Sequence, residues 1–443
     1  MLPFLIFSDA APHRCRRRRL RPAAWTLLLL GLVAVCAQAE ESLGDILGEV
    51  ADPLDQVESQ IQVQEYGPAI NWLESYIDEV ERATHRYAPE LVRPLTLLGD
   101  AYAGQGDYVT ALENYERAVH LSRVNNGLNE PGQIPIVYRE ADAYRRLGDY
   151  RQANDREEYA YHVLTSNHDA TDEALLPGIY HLASWYVRTA NVFAARALYE
   201  QALAILSSAG KYDTPAAIPA LRGLAATHRM EWFPPYYEAT VQQTGAMSGA
   251  AAMQPVTLGN APEGERALQQ VVQIQKGRAD PDPMAEAEAV LELADWYAIF
   301  DKWRRARPLY EYAYQIIASI PELDATGYFA EPRLLYFPAP TNPSPPPLEQ
   351  RGEQQIGFVE VHYGISDTGV VRDMTTVASE PAGLMDFRVR KSLREARYRP
   401  ILVDGVPVET SEHVYRHEFP YYPKREDAPV AAVAEATDED TDR

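Results

Sequence analysis

The sequence is short of cysteine, with two in 443 residues, Cys15 and Cys36. Both fall in an N-terminal stretch that reads as a removable leader. The chain beyond it can form no disulfide and no thiolate metal site, and must hold together by burial alone. The apolar run Trp25–Cys36 has only twelve residues, whereas a membrane span needs about 20. Basic residues are outnumbered, 41 Lys and Arg against 64 Asp and Glu. An acidic chain of this kind is a poor ligand for nucleic acid or anionic lipid. There is no Gly-rich phosphate loop, no His-Glu-x-x-His and no nucleophile elbow. The ten histidines follow no ligand-like spacing and read as surface or boundary residues. His413 and His417 are four apart, but in a stretch that alternates like a strand, where they form no helical pair. No enzyme activity, cofactor or metal is expected.

What is present begins with a secretion pattern. Arg14 to Arg19 form a basic region, Trp25–Cys36 an uncharged apolar core, and Ala37-Gln38-Ala39 a small-x-small cleavage site. The reading is a signal peptide over 1–39, export to the periplasm of a Gram-negative-type envelope, and no stable membrane span after cleavage. The leader holds six Arg and one Asp, so its removal takes the formal charge from -23 to -28. Residues 40–54 form an N-terminal segment before the first repeat.

The next 265 or so residues repeat. In the segment Leu95 to Ala118, small residues recur at Gly99, Ala111 and Ala118, and large ones at Leu98, Tyr102 and Tyr115. Small residues at these places let two antiparallel helices approach closely, and the large ones fill the remaining gaps. The second-helix triads Ala69/Leu73/Tyr76, Ala111/Tyr115/Ala118, Ala153/Glu157/Ala160 and Ala195/Tyr199/Ala202 are 42 residues apart. First-helix pairs Gly99/Tyr102, Ala141/Tyr144 and Ala183/Tyr186 keep step, and Gly106-Asp107-Tyr108 and Gly148-Asp149-Tyr150 mark matching turns. The pattern resembles the tetratricopeptide (TPR) consensus, whose period is about 34. The excess predicts longer helices or loops between units.

A fourth first helix is expected around Leu221, Leu224, Ala225 and His228. Its partner triad, Ala267/Val271/Ile274, comes late, leaving an insertion loop at about 234–262. A fifth unit carries Leu293, Ala294, Tyr297, Ala306, Tyr310 and Ala313. The α-solenoid thus spans about 55–320, and most of the 28 tyrosines sit at its packing positions.

Beyond it the pattern changes. Six of the ten residues 338–347 are proline, so 321–355 reads as a stiff Pro-rich linker. Val359, Val361, Tyr363 and Ile365 then alternate as one face of a strand. Asp367-Thr368-Gly369 is a hairpin turn, Val370–Val377 a return strand, and Leu384–Ala396 a helix with Met385, Val389, Leu393 and Ala396 on one side. Tyr398-Arg399-Pro400 opens another strand, Asp404-Gly405 turns into Val406-Pro407-Val408, and His413–Phe419 ends the module. This order, with those short motifs, is similar to the TonB C-terminal domain family over residues 356–421. The resemblance implies a small α+β domain that takes up an extended segment of an outer-membrane receptor as an added strand. The chain departs from TonB in its cleavable leader and in a proline stretch without lysine. Residues 422–443 read as an acidic disordered tail.

Function is expected where a repeat array places its concave face, at positions 2, 5, 9, 12 and 13 of each first helix. These are Arg93, Asp100, Tyr138, Asp142, Arg145, Arg146, Tyr180, Ser184 and Arg188. Tyr and Arg commonly carry binding hot spots, and Arg grips a carboxylate bidentately. A solvated helix face with local ion pairs is the competing reading for each residue. Together they point to a non-enzymatic scaffold that binds protein or peptide partners. The alternative is a transport adaptor that docks outer-membrane receptor segments through the C-terminal domain.

Overall fold

The computed structural model describes residues 52–234 and 261–423. The leader, most of the insertion and the acidic tail therefore lie outside the described residues. Helix α1 (Pro53–Gln62) opens a run of six antiparallel pairs, continued by α2 (Tyr66–Ala83), α3 (Val92–Gly104), α4 (Tyr108–Asn126), α5 (Ile134–Arg146), α6 (Tyr150–Asn167), α7 (Leu176–Arg188), α8 (Val192–Ser208), α9 (Ile218–Trp232), α10 (Ala261–Lys276), α11 (Pro283–Ile299) and α12 (Trp303–Ala318). Each helix packs on the next, the arrangement of a TPR-like solenoid.

The reason for the long period is visible. A 3-10 turn precedes the first helix of four units, at Pro89–Leu91, Pro131–Gln133, Glu173–Leu175 and Pro215–Ala217. Its last residue is buried every time: Leu91, Gln133, Leu175 and Ala217, again 42 apart. The second helices α4, α6 and α8 run 19, 18 and 17 residues. Helix starts are set locally. The Asp107 and Asp149 side chains accept from the backbone N–H groups of Thr110 and Gln152, each at 3.1 Å, satisfying free donors of the first turn. Gly106 and Gly148 just before them have φ of +86° and +79°, a turn conformation that favours glycine. Gly99 is small for a different reason. A Cβ there would stand 2.4 Å from the Tyr115 ring.

The small residues of the pattern are buried as expected, whereas Tyr76, Tyr102, Tyr144, Tyr186 and Tyr199 are half-buried. Ala69, Ala111, Ala153, Ala195, Ala306 and Ala313 are all fully enclosed, and the late triad Ala267/Val271/Ile274 is buried. A histidine also departs from expectation. His228 is buried at the tyrosine-like position of the fourth unit, not at the surface, and burial followed by the nearby Arg196 charge lowers it to about 4.

After α12 the chain does more than extend. Residues 321–355, where composition predicts only a stiff linker, hold a one-turn helix α13 (Ala325–Tyr328) and a strand β1 (Arg333–Tyr336). The longest stretch without regular structure is 337–347. Leu335 packs on the solenoid core, and β1 pairs with a strand more than sixty residues later, contacts that local composition does not report. The remaining elements are β2 (Gln355–Ile365), β3 (Val371–Glu380), α14 (Asp386–Glu395), β4 (Arg397–Arg399), β5 (Ile401–Val403), β6 (Val406–Val408) and β7 (Thr410–Tyr421). Their order along the chain is the one the sequence predicts. They form an antiparallel sheet β3-β2-β7 and the pairs β1-β4 and β5-β6. Helix α14 covers one sheet face through Met385, Val389 and Leu393, over Val359, Val361 and Phe419.

The module is fastened to the array. Leu402 of β5 belongs to the same buried cluster as α9 to α12, and its N–H donates to the Phe329 carbonyl at 3.3 Å. Arg399 donates from Nε and Nη2 to the two carboxylate oxygens of Asp295 at 2.9 and 2.6 Å. Arg397 does the same to Asp301 at 3.1 and 3.3 Å.

Candidate functional site

The nine groove residues fall into three situations. At the N-terminal end, Arg93 is committed to the array itself. Its guanidinium meets Asp52 at 2.6 Å and Glu58 at 3.1 Å, and also pairs with Asp55, so it clasps α1. Its hydrogen bond to Asp55 leads the causes that raise it above the usual arginine value. Asp100 is likewise engaged. It accepts from the Tyr115 hydroxyl and from Arg139 Nε of the next unit, each at 2.7 Å.

The centre holds a charged patch. Asp142, Arg145 and Arg146 form a local cluster on α5, with Arg145 Nε donating to Asp142 at 3.0 Å and Arg146 Nε at 3.5 Å from the same carboxylate. Such exposed pairs contribute about 0–1 kcal/mol and leave both guanidinium groups open to solvent. Tyr138, in the turn before them, lies over the His181 ring at 3.8 Å between centroids. Burial, then Glu157, pushes the Tyr138 hydroxyl up to about 12.

On α7, Arg188 donates to Ser184 at 3.1 Å and lies over Trp185. The Tyr180 hydroxyl is buried without a hydrogen-bond partner among the described residues. Burial, then Tyr199, raises its pKa. The charged groups not tied to another helix are therefore those of α5 and α7, not those of α3.

Several residues that shape this surface escape a motif-by-motif reading. Tyr102, Tyr144 and Tyr186 each donate to a glutamate of the preceding unit, Glu74, Glu116 and Glu158, at 2.7, 2.8 and 2.8 Å. Those glutamates are themselves 42 residues apart, a signal the sequence carries. The hydrogen bond to Glu74 is the leading cause that lifts Tyr102 to about 12. Arg139 and Arg399 had no such periodic mark.

At the far end, groove positions are already filled. Arg222, Ala226 and Arg229 of α9 and Asp295 and Ile299 of α11 occupy repeat positions 5, 9, 12, 9 and 13. Together with Arg333, Leu334 and Leu335 of β1 they line one cavity. An extended segment of the chain thus lies along the first helices of the last two units.

No protein-family model matches the chain. No curated protein matches it either. TPR-like helical repeat proteins are structural neighbours. A Podosopora anserina kinesin-light-chain protein of nearly identical TPR-like repeats has 20% identity and a TM-score of 0.39, covering 53% of this chain and 99% of that one. BtubC (BKLC) from P. vanneervenii has 14% identity and a TM-score of 0.39, covering 66% and 98%. NprR in complex with its cognate peptide NprX has 15% identity and a TM-score of 0.29, covering 68% and 81%. Among the described residues no helix is long and apolar enough to cross a membrane, and no cluster of His, Cys, Asp and Glu could hold a metal.

Proposed function

We propose that this chain is an exported, periplasmic, non-enzymatic interaction scaffold. Its groove holds a protein or peptide partner along α5 and α7, and its C-terminal module offers a second docking element. The observation that carries the reading is the placement of β1: at the last two units, an extended protein segment lies against the same repeat positions that α5 and α7 leave exposed. Arg145, Arg146 and Arg188 are the anchors of the open part, because their side chains are paired only within their own helix. The export reading rests on the basic-apolar-small pattern that ends at Ala39.

Crosslinking and affinity capture from periplasm with the full mature chain test the groove. Replacing Arg145, Arg146 and Arg188 together with Ala is expected to abolish capture with an unchanged melting temperature. Capture that survives the triple replacement refutes the groove assignment.

A second reading has its own support. Strand β7 runs twelve residues at the edge of the sheet β3-β2-β7, and an open edge can accept another strand. Together with the likeness to TonB C-terminal domains, it supports an adaptor that takes up a receptor segment.

A further inference from the structure

The cavity between α9, α11 and β1 has a volume of about 280 Å³, at the small end of ligand pockets. Its polar groups do not balance. Three guanidinium groups line it, Arg222, Arg229 and Arg333, against two carboxylates, Glu292 and Asp295. Both carboxylates are already satisfied. Arg222 Nε donates to Glu292 at 2.8 Å, and Arg399 holds Asp295 from behind. Arg229 and Arg333 have no ion-pair partner among the described residues. Both are exposed, and desolvation by neighbouring groups lowers Arg229 below the usual arginine value, against the opposing pull of Asp295 and Glu292.

Trp296 lines the same cavity and is 3% exposed, with its Nε1–H buried beneath the surface. A guanidinium is a donor only. Two guanidinium groups without an ion pair on one cavity call for an acceptor that brings negative charge and no competing hydrogen. The other walls are apolar: Leu268, Ile299, Leu334 and Leu335.

We propose that this cavity binds a small monoanionic carboxylate with a short apolar body, held by Arg229 and Arg333 and lying beside the Trp296 ring. A carboxylate matches the planar fork of a guanidinium. A dianionic phosphate fits less well, since the lining carries a single positive charge in excess. The apolar body lies against the leucine and isoleucine walls. The site does not depend on the α5 and α7 groove having a partner. It joins the array to the C-terminal module, because Arg333 belongs to β1, which is paired with β4. A free acid and the terminal carboxylate of a peptide share this chemistry.

The test uses the full mature chain with ¹⁵N-labelled tryptophan, the Trp296 indole resonance being identified by its loss in Trp296→Phe. The probes are 4-methylpentanoate, the uncharged 4-methylpentanamide, and acetyl-Gly-Gly-Leu as free acid and as amide. The acid is expected to shift the Trp296 N–H and raise the melting temperature, and the amide to do neither. Arg229→Gln and Arg333→Gln are each expected to weaken binding by roughly tenfold or more, the loss of one charge-assisted contact. A shift by the peptide acid as well assigns a chain terminus as ligand, and a shift by 4-methylpentanoate alone assigns a free acid. No shift with either acid at tens of millimolar, an equal shift with the amides, or unchanged affinity in both arginine variants overturns the proposal. Loss of partner capture on replacing Arg145, Arg146 and Arg188 touches none of these readouts, so the two ideas fail separately.

Discussion

Arg399 holds Asp295 with the same Nε-to-Oδ1 hydrogen bond by which Arg139 holds Asp100. In both places a tyrosine fifteen residues after the aspartate donates to that Oδ1, Tyr310 at 2.9 Å and Tyr115 at 2.7 Å. Asp100 and Asp295 occupy the same repeat position, but Arg139 comes from the next repeat and Arg399 from the C-terminal module. The module therefore ends the solenoid by supplying the contact a further repeat would have made. An array needs such an end, because its last unit otherwise exposes a face built for a neighbour. The terminal version is the more enclosed, with side-chain exposures of 7% and 16% for Arg399 and Asp295 against 40% and 22% for Arg139 and Asp100.

That difference in enclosure sets a difference in cost. Arg399→Ala leaves a buried carboxylate without its cation and is expected to destabilise by about 3–5 kcal/mol. Arg139→Ala, at a partly exposed pair, is expected to cost about 1 kcal/mol or less. Denaturant unfolding of the two variants checks the order. Limited proteolysis should also cut residues 337–347 faster in Arg399→Ala, and equal stability of the two variants would contradict the capping role.

Gly99 faces the Tyr115 ring at a distance no Cβ tolerates. Gly99→Ala is expected to lose about 1–3 kcal/mol through overpacking, although alanine is the better helix former. An unfolding midpoint at or above that of the parent chain would show that Tyr115 moves aside freely.

Glu140 is buried and its carboxyl is pushed up to about 7, with burial the largest cause and Arg156 opposing it. The Arg156 Nε lies 3.2 Å from Glu140 Oε2, yet neither atom makes a hydrogen bond, so the pair attracts without good alignment. Because the folded state holds this proton more tightly than the unfolded one, stability is expected to fall as pH rises from about 4.5 to about 7 and then level off. The upper limit is roughly 3 kcal/mol. Glu140→Gln should flatten that part of the profile. Denaturant midpoints at closely spaced pH values measure it, and an unchanged slope in the variant would assign the effect to other groups.

Strand β7 offers its outer backbone edge only if an added strand can reach it. With a receptor-derived extended peptide present, the outward amides of Thr410–Tyr421 are expected to gain protection from hydrogen exchange. Exchange rates that stay the same at millimolar peptide would remove the adaptor reading and leave the groove reading standing.

The sequence by itself determined the architecture of each part. Gly99, Ala111 and Ala118 with Tyr102 and Tyr115 specify a helical hairpin, because helix spacing and side-chain volume are local matters recurring every 42 residues. The alternation from Val359 to Ile365 and the Asp404-Gly405 turn specify strands in the same local way. The groove residues were legible as a set of positions, but not their occupancy. That Arg93 is consumed by Asp52, Asp55 and Glu58, while Arg146 stands open, depends on which helices pack beside them. Least legible was the tie between the two parts. Asp295 and Arg399 are 104 residues apart, and neither sits in a motif that names the other. Only when the last repeat lacks a successor and β1 pairs with β4 do they meet, because buried charge is satisfied by whatever cation the tertiary fold brings within reach.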